Sequence, residues 1–364
     1  MKQEMTISER MLIELYRKGY SRKKIKAIGE LFKNYGNAYL YHQKYEDDVR
    51  KMFGDEVYAD ISKIDINEAD LFVQKMKDKG IEIVTELSED YPETLYNIPD
   101  RPVVLFCKGD VSLLKVENGV AIVGTRKPTP YGRDVTELFS KELARAGVVV
   151  VSGLAYGVDA EAGRGAVDVG GKTIAVLGGG VNKIYPSANI PLANKIIANG
   201  GLIVSEYLPD EGPRQYYFPE RNRIISGLSK GVVVVEAGEN SGSLITATTA
   251  LEQGREIYVV PANITSSASY GSNQLIKEFP QCAVFSPQDV LDDLHIESAP
   301  ITPSAGLELT SEQQMVYDLL LENDLQFDDI KNKIKLSPNE LNTLLTEMEL
   351  FGIIKKKVGN YYGI

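Results

Sequence analysis

Histidine and cysteine are scarce in this chain of 364 residues, with His42, His295, Cys107 and Cys282 as the whole supply. Histidine-based catalysis and a His/Cys zinc site are therefore excluded from the middle of the chain. No metal or cofactor is expected. Two cysteines provide no disulfide framework, and both lie in apolar, strand-like surroundings where an inert buried thiol is expected. No apolar run approaches the about 20 residues of a membrane span, and the N-terminal MKQEMTISER lacks the apolar core of a signal peptide. A cytoplasmic protein without a membrane partner is expected. A basic tail is also missing. The formal net charge is −11, and Lys/Arg against Asp/Glu run 16 to 15 over residues 1–85, 18 to 27 over 86–309 and 6 to 9 over 310–364. A nucleic-acid partner would have to be held by a few placed cations and backbone dipoles, because local potential and not net charge captures a phosphate.

What is present centres on Phe218 to Pro261. An Arg-Asn-Arg cluster (Arg221 to Arg223) opens a helix, the strand Gly231 to Glu236 follows, and a Gly/Ser turn at Glu239 to Ser243 feeds a further helix and the strand Glu256 to Val260. Such a parallel βαβ unit can receive an anion at its turn: N–H groups at a helix start are unpaired, the dipole favours negative charge, and Gly242 permits close approach.

Taken in order, residues 1–85 read as a small helical domain, with Ser8 and Ser21 as N-caps and apolar positions at Met11, Leu12, Leu15, Ile25, Ile28, Leu31 and Phe32. The run Arg22-Lys23-Lys24-Ile25-Lys26 is either a solvated face or a phosphate contact. From Gly80 to Gly109 short extended runs add strands to the edge of the next domain. From Gly119 apolar strands alternate with helices, the mark of an α/β doubly wound, mostly parallel sheet over 86–296. Its ligand would sit beyond the carboxyl ends of the strands, where strand order reverses. The post-strand turns are alike: Gly124 to Gly132, Ser152 to Asp159, Gly178-Gly179-Gly180 to Pro186, Ser205 to Tyr207, and Glu236 to Ser243. Together they predict a glycine-lined concavity receiving Arg126, Lys127, Lys183 and the Arg221/Arg223 pair. Equally, the two arginines are salt-bridged scaffold and Asn222 a cap. Glu206 and Glu236 are catalytic carboxylates, ribose ligands or the arginines' partners, the last favoured by Coulomb pairing.

A linker is expected over 297–309, with the composition of an extended connector. Residues 310–364 predict three helices, starting at Thr310, near Ile330 and at Ser337-Pro338, and a hairpin turning at Gly359-Asn360, a layout resembling a winged helix. Its candidate recognition helix, Pro338 to Leu350, carries three glutamates and no Lys or Arg, which favours a protein contact over duplex reading.

The ordered set of Gly124-Thr125-Arg126 with Tyr131-Gly132, Ser152 to Asp159, Thr173 to Gly180 with Tyr185-Pro186, Phe218 to Ser229, Val235-Glu236-Ala237 with Ser241 to Thr246, and Gly271 to Ile276 resembles the DNA-processing protein A (DprA/Smf) family. The resemblance spans roughly 90–285. It implies an extended Rossmann-like fold with a SAM or helix-hairpin-helix-like N-terminal domain and a C-terminal winged helix. It also implies a non-catalytic, homodimeric single-stranded DNA-binding mediator of natural transformation that shields incoming strands and helps load the RecA recombinase, with single-strand binding protein as a further partner. By that analogy the phosphate site comprises Gly124, Thr125, Arg126, Lys127, Gly153, Gly178, Gly179, Gly180, Lys183, Arg221, Asn222, Arg223, Ser241, Gly242 and Ser243. Phe218 or Tyr217 would stack on a base, and Glu206 and Glu236 would support the pocket. The chain departs from the family at Ala162-Gly163, Val260-Pro261-Ala262 and Phe279-Pro280, beside the expected pocket. Two other functions compete: a phosphoribohydrolase-like enzyme using Glu206 or Glu236, disfavoured because Gly178-Gly179-Gly180-Val181 lacks the expected Thr, and a winged-helix transcription regulator, disfavoured by the acidic helix.

Overall fold

The structure is a computed structural model describing residues 5–296 and 309–363, apart from 335, 351, 352, 358 and 360. The chain divides into two compact units, one up to Ile296 and one from Glu297. Apart from Leu309, the linker expected at 297–309 lies outside the described residues, as does Asn360 of the predicted turn.

The first unit starts with six helices: α1 (Ile7–Arg17), α2 (Arg22–Leu31), α3 (Tyr35–Tyr41), α4 (Glu46–Phe53), α5 (Asp55–Ser62) and α6 (Asn67–Asp78). Thr6, not Ser8, caps α1: its hydroxyl accepts the Glu9 N–H while the Glu9 carboxylate accepts the Thr6 N–H, a reciprocal capping box. Ser8 falls inside the first turn, and its hydroxyl accepts the Gly36 N–H at 3.1 Å, tying α1 to α3. Ser21 caps α2 as expected. Met11, Leu12, Leu15, Ile25, Ile28 and Phe32 are fully buried in a core that continues through Phe106 and Ile203 of the sheet, so the helices share their core with the strands.

The sheet has eight strands: β1 (Glu82–Thr85), β2 (Val104–Gly109), β3 (Gly119–Val123), β4 (Val149–Ser152), β5 (Thr173–Val176), β6 (Leu202–Ser205), β7 (Gly231–Val234) and β8 (Glu256–Val259). Their order is β1-β2-β6-β5-β4-β3-β7-β8. Strands β1 and β2 form an antiparallel edge on β6, and the other six are parallel. Alternate residues of each parallel strand enter different cores, Ala121 and Val123 on one face against Val120 and Ile122 on the other. This explains the continuous β-branched runs, each side chain stabilising by about 1.5–3 kcal/mol when buried. Helices α7 (Glu93–Tyr96), α8 (Pro130–Arg145), α9 (Val158–Asp168), α10 (Ile190–Ala198), α11 (Tyr217–Gly227), α12 (Gly242–Glu252), α13 (Tyr270–Glu278) and α14 (Pro287–Asp293) complete the layers. The chain walks outward from β3 to β6 and returns to lay β7 on the far side of β3. Strand order therefore reverses between β3 and β7.

The second unit contains α15 (Ser311–Glu322), β9 (Leu325–Gln326), α16 (Phe327–Lys333), α17 (Pro338–Leu350), β10 (Lys355–Lys357) and β11 (Tyr361–Gly363). Thr310 and Gln313 form a capping box on α15. Gly359 takes a φ of +82°, the left-handed conformation a glycine accepts without strain, between β10 and β11. Strand β9 pairs with β11 and makes the wing three-stranded. Val316, Ile330, Leu341, Leu345 and Ile354 fill a winged-helix core.

Candidate nucleic-acid interface

At the reversal between β3 and β7 a cavity of about 650 Å³ opens, lined by Gly124, Arg126, Phe218, Arg221, Asn222 and Ser241 to Ser243 among others. The turn after β3 is pinned from β7. The Thr125 N–H donates to the Glu236 carbonyl at 2.7 Å, and the Glu236 carboxylate accepts the Thr129 N–H at 2.9 Å and the Thr129 hydroxyl at 2.7 Å. Thr129 in turn caps α8. Pinned this way, the turn leaves Arg126 exposed and without an ion pair among the described residues, its guanidinium 5.3 Å from the Phe218 ring centroid.

Across the cavity Ser241 caps α12, whose first turn contains no acidic residue. A Cβ at Gly242 would meet nothing within 4 Å, so the helix start is open. The positive end of the α12 dipole and an exposed guanidinium without an ion pair converge there, a combination suited to phosphate. The Phe218 ring offers a stacking face, tilted against Tyr185 with centroids 5.8 Å apart.

Arg221 holds a different post. It is 3% exposed, donates to the carbonyls of Gly153 and Val176 and bonds the Asn222 side chain at 3.2 Å, tying together the ends of β4 and β5. Burial lowers its pKa from the ordinary guanidinium value, opposed by the nearby Asp159 carboxylate. Burial also pushes the Asp159 carboxyl up, against the pull of Arg221 and of the Ala155 and Gly153 backbone. A Cβ at Gly153 would lie 2.4 Å from the Arg221 guanidinium, so a larger residue there requires Arg221 to shift.

Several predicted residues do not line the cavity. Arg223 is buried and pairs with Glu206, which also lies 3.6 Å from Arg22. Glu236 is consumed by Thr129. The glycines after β5 serve close packing: a Cβ at Gly178 would meet Phe218 at 2.9 Å, at Gly179 the Pro213 backbone at 3.2 Å, and at Gly180 the Leu208 carbonyl at 2.1 Å. The hydrogen bond from Asn182 holds the Asp210 carboxyl below its ordinary value, with smaller help from the charges of Lys79 and Lys183. Thr125 and Lys127 shape the turn, with the Lys127 N–H on the Thr125 hydroxyl at 3.2 Å. Tyr217 stacks on Tyr207 at 3.7 Å and bonds Glu211, so of the two predicted stacking residues it is Phe218 that lines the cavity. Of the departures, Gly163 faces Leu192 and Ile196 of α10 and not the cavity. Sequence reasoning missed Asp159, Tyr185, Arg214 and Gln215, which also line it. The polar Arg214-Gln215 pair just ahead of α11 was the available signal. Among the described residues no three His, Cys, Asp or Glu side chains converge as metal ligands would, and no helix is long and apolar enough to cross a membrane.

A doubly wound sheet with a glycine- and arginine-lined cavity at its reversal point, followed in the chain by a winged helix, defines a Rossmann-type protein with a winged-helix module. Residues 82–295 match the model of DNA recombination-mediator protein A and residues 300–360 that of the DprA winged helix domain, and the chain belongs to this DprA/Smf family. It is 42% identical over 235 residues to DNA processing protein DprA of Bacillus subtilis strain 168, covering 63% of this chain and 78% of that protein. It is 39% identical over 282 residues to Protein Smf of Escherichia coli K12, covering 75% of each. The X-ray structure of DprA from Streptococcus pneumoniae superposes with a TM-score of 0.60 at 35% identity, covering 80% of this chain and 99% of that one. A structure of DNA processing protein A from Helicobacter pylori, described for its single-stranded DNA binding mode, gives 0.54 at 34% identity over 59% of this chain and 95% of that one.

Proposed function

We propose that this protein is a single-stranded DNA-binding recombination mediator that captures backbone phosphates in the cavity between β3 and β7. The observation that carries this reading is the exposed, unpaired Arg126 above Phe218, facing the open start of α12. Arg126 and the positive end of the α12 dipole take phosphate, Phe218 stacks on a base, and Arg221, Asn222 and Gly153 hold the floor in shape. Phosphate capture and stacking read no sequence, as a receiver of arbitrary strands requires. The acidic remainder of the molecule confines the strand to the cavity. The engagement of Glu206 with Arg223 and of Glu236 with Thr129 gives both carboxylates considered as catalysts a structural role instead, which favours binding over nucleotide processing by either. In this role the protein acts in the cytoplasm as a homodimer, shields strands entering during natural transformation alongside single-strand binding protein, and hands them to RecA.

The test is titration of fluorescent oligo-dT across a salt series, with duplex and mononucleotide controls. Wild type binds the single strand with a salt slope of about −0.7 per phosphate contact. Arg126→Ala flattens the slope by about one such contact and weakens binding, and Phe218→Ala loses about 1–3 kcal/mol of stacking. Turnover of mononucleotides, or Arg126→Ala binding as wild type does, would overturn the reading.

A further inference from the structure

A second cavity of the first unit, of about 500 Å³, lies between the helical segment and the sheet, walled by Tyr20, Arg22 and Lys23 on one side and by Glu206, Glu211 and Glu220 on the other. Arg214 belongs to the lining of both cavities. The three carboxylates are already engaged: Glu206 with Arg223 and Arg22, Glu211 with Arg214 and the Tyr217 hydroxyl, Glu220 with the Tyr207 hydroxyl at 3.1 Å. Behind Glu206, the buried Arg223 keeps its Nε and Nη1 without hydrogen-bond partners. Arg22, Lys23 and Arg214 match the three carboxylates of the lining in number, and Lys23 is the cation among them that is exposed with no ion pair among the described residues.

The placement of Arg22 and Lys23 is itself unfavourable. They occupy the first turn of α2, a turn with no acidic residue, where cations oppose the helix dipole. An anion over that turn relieves both the dipole and the cations at once. Next to the Arg214 that the two cavities share, Tyr216 is 55% exposed and its hydroxyl accepts from Arg214 at 3.0 Å, an open ring face beside that guanidinium.

Building on the proposed function, we propose that the strand seated in the first cavity continues past Arg214 and Tyr216 into the second, where Lys23 and Arg22 take its backbone phosphates. The helical segment is then part of the DNA path. A short strand fills the first cavity alone; a longer one engages both.

The test compares oligo-dT of about four and about sixteen nucleotides, the span of common single-strand site sizes, on the full chain. Lys23→Glu is the principal variant and Lys23→Ala its milder form; an exposed, unpaired lysine can be replaced without disturbing the fold, and thermal melting verifies this. The expected result is that Lys23→Ala flattens the salt slope of the long strand by about 0.7, Lys23→Glu weakens that strand several-fold, and the short strand is unaffected by either. Unchanged binding of the long strand, or equal weakening of both lengths, overturns the second cavity as part of the path. If Arg126→Ala leaves the short strand unaffected, the reading of the first cavity falls and takes this proposal with it.

Discussion

Removing the Glu206 carboxylate leaves a guanidinium stranded. The Arg223 side chain is 9% exposed, its Nη2 donates to Glu206, and its Nε and Nη1 have no partner. Breaking one side of a buried pair destabilises by about 3–5 kcal/mol, because the surviving charge keeps its desolvation penalty without compensation. Against a typical stability of about 5–15 kcal/mol this is a large share. Glu206→Ala should therefore lower the urea midpoint by an amount equivalent to about 3–5 kcal/mol, while Glu206→Gln, which keeps an oxygen acceptor, loses less. The chain contains no tryptophan, so far-UV circular dichroism is the natural signal. Replacing both partners with apolar residues, Glu206→Leu with Arg223→Met, should recover most of the loss. A loss below about 1 kcal/mol for Glu206→Ala, the value of an exposed pair, would refute the scaffold role. So would an Arg223→Ala protein that keeps its stability and loses single-strand binding.

Two further outcomes follow from packing and burial. Gly153→Ala drives a methyl group into the Arg221 guanidinium; overpacking should cost about 1–3 kcal/mol in urea unfolding and weaken oligo-dT binding, and a neutral variant would show that Arg221 is free to move. Burial raises the Cys107 thiol far above its ordinary value, so no thiolate forms in the native protein near neutral pH. A thiol reagent should label Cys107 only as denaturant unfolds the chain; labelling of native Cys107 that climbs through about pH 8.5, the range of a free thiol, would contradict its burial.

The parallel strands were legible because burial on both faces demands uninterrupted apolar runs, and no other element here writes that pattern. Strand β9 was not: two residues are too few for an alternation to register. Ser8 and Thr6 are equally good caps by type, and only the reach of Glu9 back to Thr6 separates them. The site was half legible. Arg126, Phe218 and the Ser241 to Ser243 turn stand where their motifs placed them, after a strand or at a helix start. Gly178 to Gly180 misled because a glycine approached by a phosphate and a glycine approached by the Leu208 carbonyl look alike in sequence. For Arg223 the sequence left phosphate contact and salt bridge open, with Glu206 favoured as an arginine partner, and direction around the helix decides: Arg221 turns toward the strand ends and Arg223, two residues on, toward Glu206. Asp159, named as the end of a post-strand turn, was given no role in the site because it stands in the first turn of α9, where an acid usually serves only the helix dipole.

The pairing of β3 with β7 has a temporal consequence. Val120 is hydrogen-bonded beside Gly231, with β4, β5, β6 and four long helices lying between them in the chain. Contacts so distant in sequence close late, after the intervening loop entropy has been overcome. Because Glu236 fixes the Arg126 turn only once β7 is home, a nascent chain that has exposed Arg126 but not yet emerged past α12 has no receptacle for a strand. The receptacle proposed for DNA is therefore complete only when β7 has joined the sheet, and not by degrees during synthesis.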